Sequence, residues 1–203
     1  MRILVLANDS AWNELVAGNA VVDWVRAENA GDFRFKNDMD AYFDLTESAC
    51  EKDYASFSKI IFIHSVNKTL KQFGANKNIF RINAWCGFLQ RDQWEIAGDI
   101  NDECIAVFNA MNRKPIAVAD EPGFIASRII AMIINEAYFA KAEEVSTEQE
   151  IDTAMKLGTN YPYGPFEWCE RIGAKNIYSL LETLSINDFR YKPSDLLAQA
   201  SNQ

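Results

Sequence analysis

Five short apolar runs punctuate the first 120 residues, and the chain between them leaves room for helices. The runs are Ile3-Leu-Val-Leu-Ala7, Lys59-Ile-Ile-Phe-Ile-His64, Ile79-Phe-Arg-Ile-Asn83, Trp94-Glu-Ile-Ala97 and Pro115-Ile-Ala-Val-Ala119. Continuous runs of this length fit strands buried on both faces. Between them, Trp12 to Arg26 reads as a helix, with Leu15, Val16, Val22 and Val25 at mixed three- and four-residue spacing. Asp102 to Asn112 does so through Ile105, Phe108 and Met111. Gly31 to Lys59 is acidic and aromatic and reads as short strands with a helix. The alternation predicts helices packed on a largely parallel sheet.

After Asp120 the texture changes. Phe124 to Glu144 reads as one long helix whose apolar stripe is wide enough to be buried on more than one side. Ser146-Thr-Glu-Gln-Glu150 offers an N-cap, and the next helix, Ile151 to Leu157, runs to Gly158. Tyr161-Pro-Tyr-Gly-Pro165 reads as a loop, followed by helices over Phe166 to Ile172, Lys175 to Leu184 and Ser194 to Gln199. The expected organisation is α/β plus all-α, with an α/β domain over 1–119 and a helical domain over 120–203. A chain of 203 residues has room for two such domains and no third.

Charge narrows the partners. With 29 acidic against 20 basic residues the net charge is −9, a field that repels phosphate backbones and anionic lipid headgroups. Neither nucleic acid nor membrane is expected. The exception is Lys59 to Arg91, which contains Lys59, Lys68, Lys71, Lys77, Arg81 and Arg91 and no Asp or Glu. An anionic ligand, if the chain takes one, is expected there; the alternative is a solvated surface. Four separated cysteines and one histidine do not supply the spacing of a zinc site. The N-terminal apolar run is too short for a signal peptide, and no stretch reaches the roughly 20 residues of a membrane span. Free thiols in a reducing cytoplasm are the expectation.

In α/β domains that bind dinucleotides, glycines after the first strand let the backbone approach the pyrophosphate at a helix N-terminus. Here that turn reads Ala7-Asn-Asp-Ser-Ala-Trp-Asn13, without glycine, and Asp9 and Trp12 oppose a pyrophosphate. No cofactor-binding residue is assigned on this basis.

Five segments in order carry a resemblance: Asp120-Glu-Pro-Gly-Phe-Ile-Ala-Ser-Arg-Ile-Ile130, Asn135-Glu-Ala137, Glu150-Ile-Asp-Thr-Ala-Met-Lys-Leu-Gly158, Pro162-Tyr-Gly-Pro-Phe-Glu167 and Arg190-Tyr-Lys-Pro193. Together they resemble the C-terminal domain of the 3-hydroxyacyl-CoA dehydrogenases. The resemblance implies a shortened Rossmann-like N-terminal domain followed by a helical 6-phosphogluconate-dehydrogenase-like C-terminal domain. It further implies NAD as cofactor, an acyl-CoA ligand, dimerisation through the helical domain, and oxidation of a 3-hydroxyacyl thioester in fatty-acid metabolism. Such chemistry needs a histidine base, a carboxylate to orient it, and serine and asparagine side chains to hold the substrate oxygens.

Carried over residue by residue, the resemblance places Asn83 at the histidine position, and an amide cannot take that proton at neutral pH. Glu95, twelve residues on, falls at the orienting carboxylate. Lys68 takes the serine position, or Thr69 if the register slips by one. Ser127 takes the asparagine position beside a retained Arg128. Lys68 and Lys71 are the candidate contacts to a CoA ester. Glu95 reads as an inherited orienting residue or a surface carboxylate, His64 as a strand-end histidine more than a relocated base, and Cys86 as a buried thiol more than a nucleophile. The Tyr161–Phe166 loop suits a ligand cleft or helix packing equally. The expectation is a family member that is weakly active or inactive; the alternative is a non-catalytic acyl-CoA-binding or partner subunit keeping the family dimer.

Overall fold

Residues 1–18, 21–36, 38–54, 57–74 and 77–202 are described by a computed structural model. The chain divides into unit 1, Met1–Phe124, and unit 2, Ile125–Gln203. Unit 1 is built on β1 (Arg2–Leu6), β2 (Asp23–Arg26), β3 (Ala41–Asp44), β4 (Ile60–His64), β5 (Ile79–Ile82), β6 (Gln93–Ala97) and β7 (Lys114–Ala117). They form one sheet in the order β2-β1-β3-β4-β5-β6-β7. Every neighbouring pair is parallel except β5 and β6.

Burial on both sides explains the apolar runs of β1, β4 and β5, whereas the run at Pro115–Ala119 forms the edge strand β7 and leaves Ile116 39% exposed. Ile3, Val5, Phe43, Phe62, Phe80 and Ile82 face one core, which α1 (Asp9–Val16) covers with Ala11 and Leu15 and α3 (Asp102–Ala110) with Cys104, Val107 and Phe108. Leu4, Leu6, Tyr42, Ile61, Ile63 and Ile79 face the other, closed by Phe33 of α2 (Ala30–Phe35) and by Ala49 and Tyr54 of the segment after β3. Each of these three helices starts at an asparagine. The side chains of Asn8, Asn29 and Asn101 accept from the N–H groups of Ala11, Asp32 and Cys104, and each cap contributes about 1 kcal/mol. The crossovers from β3 to β4 and from β4 to β5 carry turns and a 3-10 segment, Ala49–Glu51, with no α-helix among the described residues. A doubly wound sheet is thereby completed in few residues.

The expected helix over Trp12–Arg26 is corrected. It ends at Val16, and Val25 belongs to β2, which pairs with β1 from Arg2↔Asp23 to Val5↔Arg26. Gly18 and the β-branched Val21-Val22 weaken helix propagation there, and parallel pairing with β1 supplies the better home for the apolar residues.

Unit 2 contains α4 (Ala126–Ala142), α5 (Glu148–Thr159), α6 (Pro165–Ile172), α7 (Ala174–Ser185) and α8 (Asp195–Ala200). Helix α4 packs against α6, α7 and α8 and buries Ala131, Ile134, Ala137 and Tyr138. Two boundaries differ from expectation. Phe124 has φ 50°, so the helix begins only after it. Gly158 lies inside α5, which closes instead at Asn160 with φ 55°, an asparagine taking the left-handed role usually given to glycine. Ile129 of α4 and Ile125 just before it are 52% and 56% exposed. No helix among the described residues is long and apolar enough to cross a membrane.

Candidate functional site

Strand β5 delivers Asn83 to the carboxyl edge of the sheet. The side-chain oxygen of Asn83 accepts from the Trp85 N–H at 2.9 Å, a local turn that asparagine favours and that bends the chain away from the strand. The loop then reaches Gly87, whose φ of 85° suits glycine. Strand β6 returns antiparallel, so Glu95 comes back beside the start of the same loop. Asn83 and Glu95 line one cavity of about 420 Å³ with Phe88, Arg91, Trp94 and Ile116. The two positions twelve residues apart are brought together.

The charged groups of this cavity are Arg91, Asp92 and Glu95. The Arg91 guanidinium lies 4.0 Å over the Phe88 ring, and its carbonyl accepts from the Trp94 indole N–H at 2.9 Å. Burial lowers the Arg91 pKa while the field of Glu95 supports its charge. Sequence reading assigned Arg91 only to the basic stretch; its place in the cavity follows from the β5–β6 reversal, which has no signature of its own.

His64 ends β4 beside this loop. Its Nδ1 accepts from the Ala84 N–H at 3.0 Å. Burial pushes the imidazole down to about 4, against a backbone hydrogen bond with Ile82 and the fields of Glu47 and Asp44, so the ring is neutral at pH 7. A ring nitrogen whose lone pair already holds a backbone N–H is a poor proton acceptor for a substrate.

The basic stretch does not form one patch. Arg81 is fully buried: its guanidinium meets Asp120 at 2.5 Å, donates to the carbonyls of Ser65, Val66 and Glu121, and lies 4.7 Å over the Phe124 ring. Asp120 also accepts from the N–H groups of Leu70 and Lys71. Burial raises the Asp120 pKa, but these hydrogen bonds outweigh it and hold the carboxyl below its ordinary value. Lys59 and Lys77 precede parallel strands β4 and β5, and thus sit at the opposite end of the sheet from Lys68 and Lys71. Both latter side chains are exposed, and the Lys68 ammonium lies 3.8 Å from Glu51. Thr69 is buried, its hydroxyl accepting from the Gln72 N–H. None of the three lines the cavity. Ser127 is fully buried on α4 in unit 2, where Arg128 lies 5.9 Å over the Tyr191 ring.

Doubly wound sheets take ligands at the carboxyl ends of the strands where the order reverses, here β1 and β3. After β1, the Arg26 guanidinium donates to the Ala7 carbonyl and to Asp9 at 2.6 Å and lies 5.5 Å over the Trp12 ring. The N–H of Ala11 is already taken by Asn8. After β3, the fully buried Asp44 receives Lys52 and the Thr46 hydroxyl at 2.6 Å and the Tyr54 hydroxyl at 2.9 Å. A pyrophosphate needs free N–H groups and close backbone approach; an Asp9 carboxylate and an occupied first turn do not fit it. Among the described residues, no group of three His, Cys, Asp or Glu side chains is placed to hold a metal ion.

In unit 2 the Tyr161–Phe166 loop acts as a helix start. The carboxylate of Asp152 accepts from the N–H groups of Phe166 and Glu167 at 2.8 and 3.1 Å. A Cβ at Gly164 would stand 2.3 Å from that carboxyl, so the glycine is required for the approach. Tyr163 packs edge-on against Trp168 beneath Arg171. Phe166 also lines a separate cavity of about 540 Å³ with Tyr138, Glu148 and Lys156.

Residues 123–203 match the sequence profile of the 3-hydroxyacyl-CoA dehydrogenase C-terminal domain. A 3-hydroxyadipyl-CoA dehydrogenase of Escherichia coli K12 is 49% identical over 99 residues, which are 48% of this chain and 21% of that protein. The chain thus spans about a fifth of that relative's length. The structure of a 3-hydroxybutyryl-CoA dehydrogenase from Escherichia coli K12 superposes with a TM-score of 0.61 at 30% identity, covering 74% of this chain and 34% of that one. The (S)-3-hydroxybutyryl-CoA dehydrogenase of Ralstonia eutropha superposes with a TM-score of 0.73 over 98% of this chain and 92% of its own, at 18% identity. That likeness concerns the fold.

Proposed function

Because residues 123–203 belong to the 3-hydroxyacyl-CoA dehydrogenase family, we propose that the chain binds a 3-hydroxyacyl or 3-ketoacyl thioester of CoA at the Asn83–Glu95 cavity and turns it over weakly or not at all. The observation that carries this reading is the state of the chain's single histidine. His64 is neutral, with Nδ1 committed to the Ala84 N–H, and the position facing the cavity beside Glu95 holds the amide of Asn83. Removing a hydroxyl proton at pH 7 needs a group whose pKa lies near that pH, and an amide offers none. Asn83 can still donate a hydrogen bond to a substrate oxygen, so binding survives where proton transfer does not.

NAD is the cofactor that family membership suggests. The turn after β1 does not fit a pyrophosphate, and no step is assigned to the cofactor here. The chain then serves as an acyl-thioester-binding subunit that keeps the family's pairing surface. Support for pairing comes from Ile129 and Phe139 of α4 and from Ile125 just before it, all three exposed. Titrating NADH and acetoacetyl-CoA separately by calorimetry tests the reading. Saturable acetoacetyl-CoA binding without NADH binding is expected; NADH consumption at a rate ordinary for an enzyme, on the order of 10 s⁻¹, would overturn it. Light scattering at micromolar concentration should give twice the chain mass, and a monomer would remove the pairing.

A further inference from the structure

The loop Asn83-Ala-Trp-Cys-Gly87 leaves the sheet, so its amides cannot all be satisfied by strand pairing. Two of them are taken by ionisable side chains from other elements. The Ala84 N–H donates to His64 Nδ1 at 3.0 Å. The Gly87 N–H donates to both carboxylate oxygens of Glu14, at 2.8 and 2.9 Å. Glu14 lies on α1, 73 residues away, and is only 8% exposed. A carboxylate is seldom buried unless a specific donor holds it there. Between these anchors, Asn83 closes its own turn through the Trp85 N–H, and Trp85 accepts the Phe88 N–H at 2.9 Å. Phe88 and Asn83 both line the cavity.

We propose that Glu14 and His64 are positioning residues that clamp the Asn83–Gly87 loop at its two ends and so aim Asn83 into the cavity. The clamp gives the buried Glu14 and the partly buried His64 a task that core packing does not explain. Neither residue lines the cavity, and both act through the loop's N–H groups. The proposal rests on the reading of the cavity as an acyl-thioester site for its functional consequence, though not for the geometry itself.

The test compares Glu14→Ala with Glu14→Gln and His64→Ala with His64→Asn in the full chain. Glutamine and asparagine retain a side-chain acceptor at a similar reach; alanine removes it. Acetoacetyl-CoA affinity is read by calorimetry, and the backbone amides of Ala84 and Gly87 and the side-chain amide of Asn83 by nitrogen-15 NMR. Each alanine variant should weaken acetoacetyl-CoA binding about tenfold, the scale of one lost hydrogen bond to a charged or buried group. Each should also shift the Asn83 side-chain amide, while the conservative variant of the pair restores most of both. If the wild-type chain does not bind acetoacetyl-CoA, the proposed function fails, and the clamp is then judged by NMR alone. An Asn83 side-chain amide unmoved in folded Glu14→Ala and His64→Ala overturns it. Should the alanine variants not fold, Glu14→Gln decides: exchanging a charged for a neutral acceptor must move the Gly87 amide, and an unmoved Gly87 amide overturns the clamp.

Discussion

The two units use their recognisable residues differently. In unit 2, the polar residues of the matched segments hold helices together. Asn135 donates to the Lys192 carbonyl and accepts from the Ser194 N–H, and Asp152 caps α6 across a glycine that leaves it room. In unit 1, the positions at which the resemblance puts catalysis hold Asn83, Glu95 and Lys68, and only the first two share a cavity. The lesson is that the similarity shared with known dehydrogenases marks a scaffold. A scaffold residue is constrained by the groups it leaves buried and unpaired when lost, whereas a site residue can change while the fold persists.

The sharpest way to break this contrast is to attack unit 1 where it is itself a scaffold. Arg81→Met should cost about 3–5 kcal/mol in urea unfolding, because it strands Asp120 and three carbonyls that Arg81 now serves. A loss below 1 kcal/mol would mean that these contacts are dispensable. Acidification probes the neighbouring loop. His64 has a folded pKa of about 4 against 6.5 for the free side chain, so the unfolded chain takes up its proton first. Its contribution is fully present above pH 6.5 and is lost as pH falls toward 4, by at most about 3 kcal/mol. In His64→Asn, the pH dependence of unfolding should be flatter over that window. In unit 2, Asp152→Ala should lose about 2 kcal/mol by removing the α6 cap, measured by helix melting in circular dichroism. A neutral result would remove Asp152 from the scaffold. Smallest is Lys71→Ala, which should change stability by less than about 0.5 kcal/mol. Its acetoacetyl-CoA affinity and salt dependence should fall if the ammonium meets the CoA phosphates; with both unchanged, Lys71 belongs to the solvated surface.

Much of the sheet was legible because its central strands are buried on both faces. Ile60–His64 and Ile79–Ile82 are continuous apolar runs, which local composition announces. Strand β2 was not legible: Asp23-Trp-Val-Arg26 alternates in a way that also suits a helix, and only its place beside β1 settles it. Asn83 and Glu95 could be named only through the resemblance, and Arg91, Glu14 and Arg81 could not be given their places. Their partners lie on other elements, and a basic residue in a basic stretch reads as solvated until Asp120 is seen against it.

By itself the sequence determined the division between a strand-rich half and a helical half, the turn without glycine after the first strand, and the similarity of residues 123–203 to the 3-hydroxyacyl-CoA dehydrogenase C-terminal domain. These follow from local composition and from ordered motifs. The tertiary structure alone decided that Asn83 and Glu95 share a cavity, that His64 and Glu14 are committed to backbone amides, and that Arg81 is buried. Each of those facts depends on which distant N–H, carbonyl or carboxylate meets a side chain once the sheet has closed.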